Sequence, residues 1–190
     1  MKQYNNRTMD FVSRAGNKLQ FAIDQFHISV KGFICADFGS STGGFTDCLL
    51  QNGAKRVYSI DTAYGEFAWK LRNDPRVIVM ERTNAMHVSL PERMDLITVD
   101  VGWTKQKNIL PNAFSNLKDG GLIISLIKPH YEAGKGKIKV DQVEQILQVV
   151  QEEIEKVGGR VIQIIKSPIL GVRAKNPEYL ALIKLSTKSS

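Results

Sequence analysis

Cysteine and histidine are scarce. The 190 residues hold two cysteines, Cys35 and Cys48, and three histidines, His27, His87 and His130. Neither cysteine has a partner at metal-ligand spacing and the histidines do not cluster, which argues against a metal centre. Both thiols fall on apolar faces of predicted elements and read as buried and free. Long apolar runs are missing too. The longest, Leu122–Ile127, is far short of the roughly 20 residues that cross a bilayer. The first ten residues, MKQYNNRTMD, carry no hydrophobic signal segment. A cytoplasmic protein without a membrane partner is expected. There is no internal repeat, low-complexity tract or linker, so residues 1–13 read as a loose polar tail and 14–190 as one domain.

What is present is ordinary for a soluble α/β domain: 43% hydrophobic and 24% charged residues. The formal charge is +7 and the isoelectric point about 9.4. That balance points to a polyanion such as RNA or DNA, or to a generically basic protein. Apolar periodicity predicts strands at 33–38, 56–60, 77–80, 95–99, 122–127, 161–165 and 179–185. Helices are predicted at 14–27, 45–51, 66–72, 108–117 and 140–157, with Pro111 in the first turn of the fourth. Asp119–Gly121 reads as a turn and 130–139 as a basic glycine-containing loop. The alternation predicts a seven-stranded, mostly parallel sheet with helices on both faces and an antiparallel last strand.

The first strand ends at Asp37 and runs into Gly39-Ser40-Ser41-Thr42-Gly43-Gly44-Phe45 at the start of a helix. Such a turn lets the backbone approach a ligand closely. The pattern is neither G-x-G-x-x-G nor a P-loop, because no Gly-Lys-Ser/Thr follows. An aspartate before the turn is unfavourable beside a pyrophosphate but suits the ammonium of S-adenosylmethionine. Asp61, at the end of the second strand, can accept both ribose hydroxyls, and Asn84 is placed to meet the adenine. These residues, with Asp100, form the expected donor site, and S-adenosylhomocysteine would be the product.

The acceptor side carries opposite charges at element ends: Asp100, Lys128, Glu178 and Lys18. Ligands bind at the carboxyl ends of parallel strands, so the four could converge. No Asn/Asp-Pro-Pro-aromatic motif for exocyclic amines is present, and neither cysteine is placed as a nucleophile toward a base carbon. The chain resembles the FtsJ-like RNA 2′-O-ribose methyltransferases, and within them the TlyA group, also labelled hemolysin A. The resemblance runs from about Phe11 to Leu185. It rests on Val12-Ser-Arg-Ala-Gly-Asn-Lys18, the glycine turn, Tyr64-Gly-Glu-Phe-Ala-Trp-Lys70, Glu81-Arg-Thr-Asn84, Asp95–Asp100, Leu126-Ile-Lys-Pro129 with Glu132-Ala-Gly134, and Asn176-Pro-Glu-Tyr-Leu180.

The resemblance implies a Rossmann-like class I methyltransferase fold and a catalytic tetrad of Lys18, Asp100, Lys128 and Glu178. In that tetrad Lys128 handles the ribose 2′-hydroxyl. It would act either neutral, as a base, or charged, stabilising an oxyanion. The implied partner is RNA, in particular ribosomal RNA or a ribosomal subunit. Two departures stand out. The group's small N-terminal RNA-binding module has no counterpart in the few residues before the match. In addition, Gly102-Trp103 stands where Ser-Phe is usual. Trp103 reads as a base-stacking or a core residue, and Arg14, Lys105, Lys107, Lys135, Lys137 and Lys139 as phosphate contacts or solvated charges. Two other readings stand beside this one: a cofactor- and RNA-binding protein without turnover, and the membrane-lytic role of the hemolysin label.

Overall fold

The computed structural model describes residues 10–134, 138–171 and 175–186. The elements in chain order are α1 Ala15–Phe26, β1 Ile34–Phe38, α2 Gly44–Gln51, β2 Arg56–Ile60, α3 Trp69–Arg72, β3 Val77–Met80, β4 Met94–Val99 and α4 Gln106–Ser115. They continue with β5 Leu117–Ile127, α5 Pro129–Glu132, a 3₁₀ turn at Val140–Gln142, α6 Val143–Lys156, β6 Gly159–Lys166 and β7 Tyr179–Leu185. The strands form one seven-stranded sheet ordered β3-β2-β1-β4-β5-β7-β6. β7 pairs antiparallel with β5 and β6, and the other pairings are parallel. This is the expected sheet.

Its strands are apolar on both faces because both are covered. Ala36, Phe38, Ile60, Ile97, Val99, Ile123 and Ile183 pack toward α4 and α6. Cys35, Val57, Leu96, Ile124, Leu126 and Leu180 pack with Leu19, Ala22, Ile23 and Phe26 of α1 and with Cys48 and Leu49 of α2. Both cysteines are buried and free, and burial, the largest effect on each, holds the thiols well above their ordinary pKa. No helix among the described residues is long and apolar enough to cross a membrane.

Five local expectations are corrected. The third helix is only Trp69–Arg72. The turn at Asp119–Gly121 is absorbed into β5, where Gly120 has φ 75° and the register against β4 shifts between Met94 and Leu96, as a bulge does. α4 begins at Gln106, so Pro111 lies inside the helix, not in its first turn. α5 occupies the start of the expected 130–139 loop. The tail is held from Phe11 to Ser13. There the Val12 N–H donates to Asp47 Oδ2 at 2.9 Å, and a side chain at Gly44 would come within 2.2 Å of Ser13 Oγ.

Candidate active site

The turn after β1 is tight because the Gly39 and Ser40 N–H groups both donate to the Ile60 carbonyl, at 2.9 and 3.1 Å. Gly39 has φ 86°, and a Cβ there would stand 2.6 Å from the Asp100 carbonyl oxygen. Glycine is therefore required by conformation and by space. Ser41, at φ 47°, donates its N–H to Asp61 Oδ2 at 2.7 Å. Asp61 Oδ1 accepts the Ala63 N–H at 2.8 Å. The carboxylate is thus oriented from two sides with lone pairs to spare.

Three connected hollows open at this edge, and Ser41 and Asp100 line all of them. One, of about 260 Å³, runs past Gly39, Asp61, Asn84 and Met86. A second, of about 250 Å³, lies over Ser40, Thr42, Gly44 and Phe45, with Ser13 and Lys128 on its walls. The third, about 640 Å³, holds Arg14, Lys18, Trp103, Lys128, His130, Tyr131 and Glu178. Gly43, the α2 N-cap at φ 100°, faces Phe67 and Leu71 instead of a hollow.

The four expected charges converge on the third hollow as two ion pairs. Lys18 Nζ meets Glu178 Oε2 at 2.6 Å, and Lys128 Nζ meets Asp100 Oδ1 at 2.6 Å, all four side chains being largely buried. Burial pulls the Lys128 ammonium pKa down. The charge of Asp100 and its hydrogen bond outweigh burial, so the net shift is upward and Lys128 is a cation at neutral pH.

Asp37 is elsewhere. It is fully buried and lines none of the three hollows. Its Oδ2 accepts the Thr46 N–H at 3.0 Å and the Thr46 hydroxyl at 2.8 Å, and its Oδ1 accepts the Thr98 hydroxyl at 3.0 Å. This corrects its expected role beside an ammonium. β1 alternates, so Asp37 points down into the α2 face, where it ties the strand to the helix beneath the turn.

Burial, opposed by the Thr46 and Thr98 hydrogen bonds, raises the Asp37 carboxyl to about 7. Glu132 is also raised to about 7, chiefly by burial. Its Oε1 accepts the Gln106 N–H at 3.0 Å, while Oε2 is buried without a partner among the described residues. Between the unfolded and folded pKa values the folded state keeps protons that the unfolded state has shed. The contribution of these two carboxyls to stability is therefore greatest below about pH 4 and is lost as pH rises toward 7, by about 4 kcal/mol for Asp37 alone, while the lowered carboxylates Asp74, Glu81 and Glu92 act in the opposite direction. Across that range the melting temperature of Asp37→Asn should gain on that of wild type as pH rises, because the variant has no carboxyl to ionise at this buried position. An equal slope in the variant would overturn this account of the carboxyl.

The rim is aromatic. Trp103, 74% exposed and at φ 60°, is not a core residue. Its ring lies 4.5 Å from that of Tyr131, tilted by 32°. The His130 ring also meets Tyr131, at 4.1 Å, and Lys128 Nζ stands 5.6 Å from the Tyr131 centroid. Of the basic candidates, Arg14 lines the large hollow. Lys105 does not, lying with Glu132 and Glu153 beside α6, and Lys107 is paired with Glu153 at 2.6 Å. Lys139 is exposed. Lys135 and Lys137 lie outside the described residues. Sequence reasoning missed Ser13, His130 and Tyr131. The last two directly follow Lys128-Pro129 at the sheet edge, a placement that could have flagged them.

A profile of the FtsJ-like methyltransferases matches residues 11–183. The YqxC protein of Bacillus subtilis is 46% identical over 135 residues, which are 67% of this chain and 47% of that protein. The 16S/23S rRNA (cytidine-2′-O)-methyltransferase TlyA of Mycobacterium tuberculosis is 37% identical over 188 residues, 93% of this chain and 69% of TlyA. A Streptococcus thermophilus protein, solved under a hemolysin name, superposes with a TM-score of 0.89 at 35% identity, covering 96% of this chain and 70% of that one. The chain therefore spans about half the length of YqxC and about two thirds of TlyA.

Proposed function

The chain belongs to the FtsJ-like methyltransferase family, and from that premise we propose that it transfers a methyl group from S-adenosylmethionine to a ribose 2′-hydroxyl of ribosomal RNA. The observation that carries the reading is the convergence of the Lys18–Glu178 and Lys128–Asp100 pairs on one hollow that adjoins the glycine turn. Relatives support the choice of acceptor, since TlyA of M. tuberculosis is named a cytidine-2′-O-methyltransferase of 16S and 23S rRNA.

The donor hollows fit a cationic ligand without phosphate. The hollow past Asp61 and Asn84 is lined by three carboxylates, Asp61, Glu66 and Asp100, and, among the described residues, by no lysine or arginine. Phosphates would meet only like charge there. Asp61 would take the ribose hydroxyls, Asn84 the adenine edge, and the backbone from Gly39 to Phe45 the amino acid part. When bound, the cofactor supplies an electrophilic methyl group on a sulfonium.

On the acceptor side Lys128 donates to the ribose oxygen and stabilises the negative charge that develops as its proton leaves. Asp100 holds Lys128 in place and in its charged form. Lys18 and Glu178 line the same hollow, so the hydroxyl is positioned beside two ion pairs. Trp103, backed by Tyr131, offers a ring for stacking a base, and Arg14 a phosphate contact. Lys135 and Lys137 remain candidates for further phosphate contacts.

The test is methyl transfer from labelled cofactor to separated 16S and 23S rRNA and to intact ribosomal subunits, with mapping of the modified nucleotide. A single ribose 2′-O-methyl site is expected. Label on a base, or none on any RNA despite measurable cofactor binding, would overturn the reading.

A further inference from the structure

The loop between β4 and α4 carries Trp103, and where that ring stands depends on how α4 starts. A helix leaves its first N–H groups without partners inside the helix, and a Ser, Thr, Asp or Asn at the N-cap ordinarily meets one of them. Here the N-cap is Lys105, whose side chain makes no capping bond. The N–H of Gln106, the first helical residue, donates instead to Oε1 of Glu132 in α5, at 3.0 Å. The Gln106 side chain is committed to the sheet, where its Oε1 accepts the Ser125 hydroxyl of β5 at 2.6 Å. Gln106 is 3% exposed and Glu132 8%, so this bond is closed to water.

Glu132 directly follows Tyr131, and Gln106 lies three residues beyond Trp103. The bond between them therefore joins the two segments whose aromatic rings meet at 4.5 Å. The loop is anchored at its other end by the Asp100 N–H, which donates to the Phe38 carbonyl at 2.9 Å, and by Lys128 Nζ, 3.4 Å from the Val101 carbonyl oxygen. Between these anchors the Thr104 hydroxyl makes only a local bond, to the Gly102 carbonyl at 3.3 Å.

We propose, on the reading of this site as an RNA 2′-O-methyltransferase, that Glu132 is a positioning residue: by capping α4 from α5 it holds Trp103 against Tyr131 as a fixed platform for a base of the acceptor RNA. The role needs an acceptor oxygen and not an acid. Burial raises the Glu132 carboxyl to about 7, and Oε1 can accept the Gln106 N–H in either protonation state. A glutamine side chain has the same shape and can accept there too, whereas alanine leaves the Gln106 N–H buried and unpaired. The two ion pairs of the acceptor hollow do not involve Glu132, so its loss should act on RNA binding more than on the transfer step.

The experiment compares wild type, Glu132→Gln and Glu132→Ala, each well below its own melting temperature. Methyl transfer is measured on the RNA that wild type modifies. The fluorescence anisotropy of Trp103 is measured in a Trp69→Phe background, where it is the one tryptophan left. Glu132→Ala should raise KM for RNA about tenfold or more, the worth of one stacked base, with kcat within about threefold, and should lower the Trp103 anisotropy. Glu132→Gln should match wild type in both readouts. Trp103→Ala should raise KM by a similar factor, and combining it with Glu132→Ala should add little, because the two act as one unit.

A Glu132→Ala protein that keeps the wild-type KM and anisotropy and loses only melting temperature would overturn the proposal. So would a Glu132→Gln protein as impaired as Glu132→Ala, since the charge and not the bond to Gln106 would then matter. If wild type methylates no RNA, the proposed function fails, and the anisotropy still decides whether Glu132 holds the ring. If wild type methylates and Glu132→Ala keeps its KM, only this assignment fails.

Discussion

Lys128→Met is expected to lower methyl transfer about a thousandfold, equivalent to about 4 kcal/mol of transition-state stabilisation, while the protein stays folded and binds its cofactor. The cause is the charge state of the ammonium. Asp100 holds Lys128 ionised at 2.6 Å, and the ammonium also lies within 3.4 Å of the Val101 carbonyl. A fixed cation in a largely buried site interacts with a developing oxyanion far more strongly than it would in water. Methionine is similar in volume and removes the charge and its hydrogen bonds; the Asp100 carboxylate it leaves unpaired is 18% exposed and can be hydrated, unlike the deeper Lys18–Glu178 pair. The loss should therefore appear in kcat, with the cofactor dissociation constant held within about fivefold.

Lys128→Arg keeps a charge but replaces a compact ammonium by a planar fork. It should recover little, because the pair with Asp100 cannot keep its present geometry. A Met variant with more than about a tenth of wild-type kcat would show that Lys128 is not the residue that stabilises the ribose oxygen.

Glu178→Ala should destabilise the fold by about 3–5 kcal/mol, far more than the double variant Lys18→Met/Glu178→Leu. Lys18 is 6% exposed and Glu178 4% exposed. Removing the carboxylate strands an ammonium in a site that water barely reaches, whereas removing both groups strands nothing and leaves apolar volume in their place. For a chain of this size the single change corresponds to a drop of roughly 10 °C in melting temperature. The double variant should lie within about 2 kcal/mol of wild type. Chemical denaturation of the three proteins decides the matter. Equal losses in the single and double variants would mean that the pair, and not the stranded charge, supplies the stability. Both variants should lose methyl transfer, so stability and activity separate in the double variant alone.

Local features of this site are legible in the amino-acid order. Short apolar runs alternating with helical segments were enough for the seven strands and for the antiparallel β7, because run length, periodicity and connection length are local properties. The glycine turn was legible because a φ of 86° at Gly39, with the Asp100 carbonyl against it, leaves room for no other residue. The four charges were legible because each sits at an element end and a parallel sheet brings such ends to one edge.

Other features depend on orientation and packing, which no window of sequence holds. Asp37 adjoins the turn in sequence, but the pleat turns its side chain toward Thr46 and Thr98 and away from the hollows. The turn after β4 gives Trp103 a positive φ and swings its ring out onto Tyr131. Which lysine meets which carboxylate was likewise decided in three dimensions. Lys18 and Glu178 are 160 residues apart, and only the docking of α1 beside the start of β7 makes them a pair. The same docking separates the charges into two buried couples, leaving Lys128 ionised by its neighbour. The amino-acid order determined the strands, the turn and the set of charged groups. Tertiary structure alone decided their pairing and protonation, because both depend on distances and burial that exist only once the sheet edge has closed.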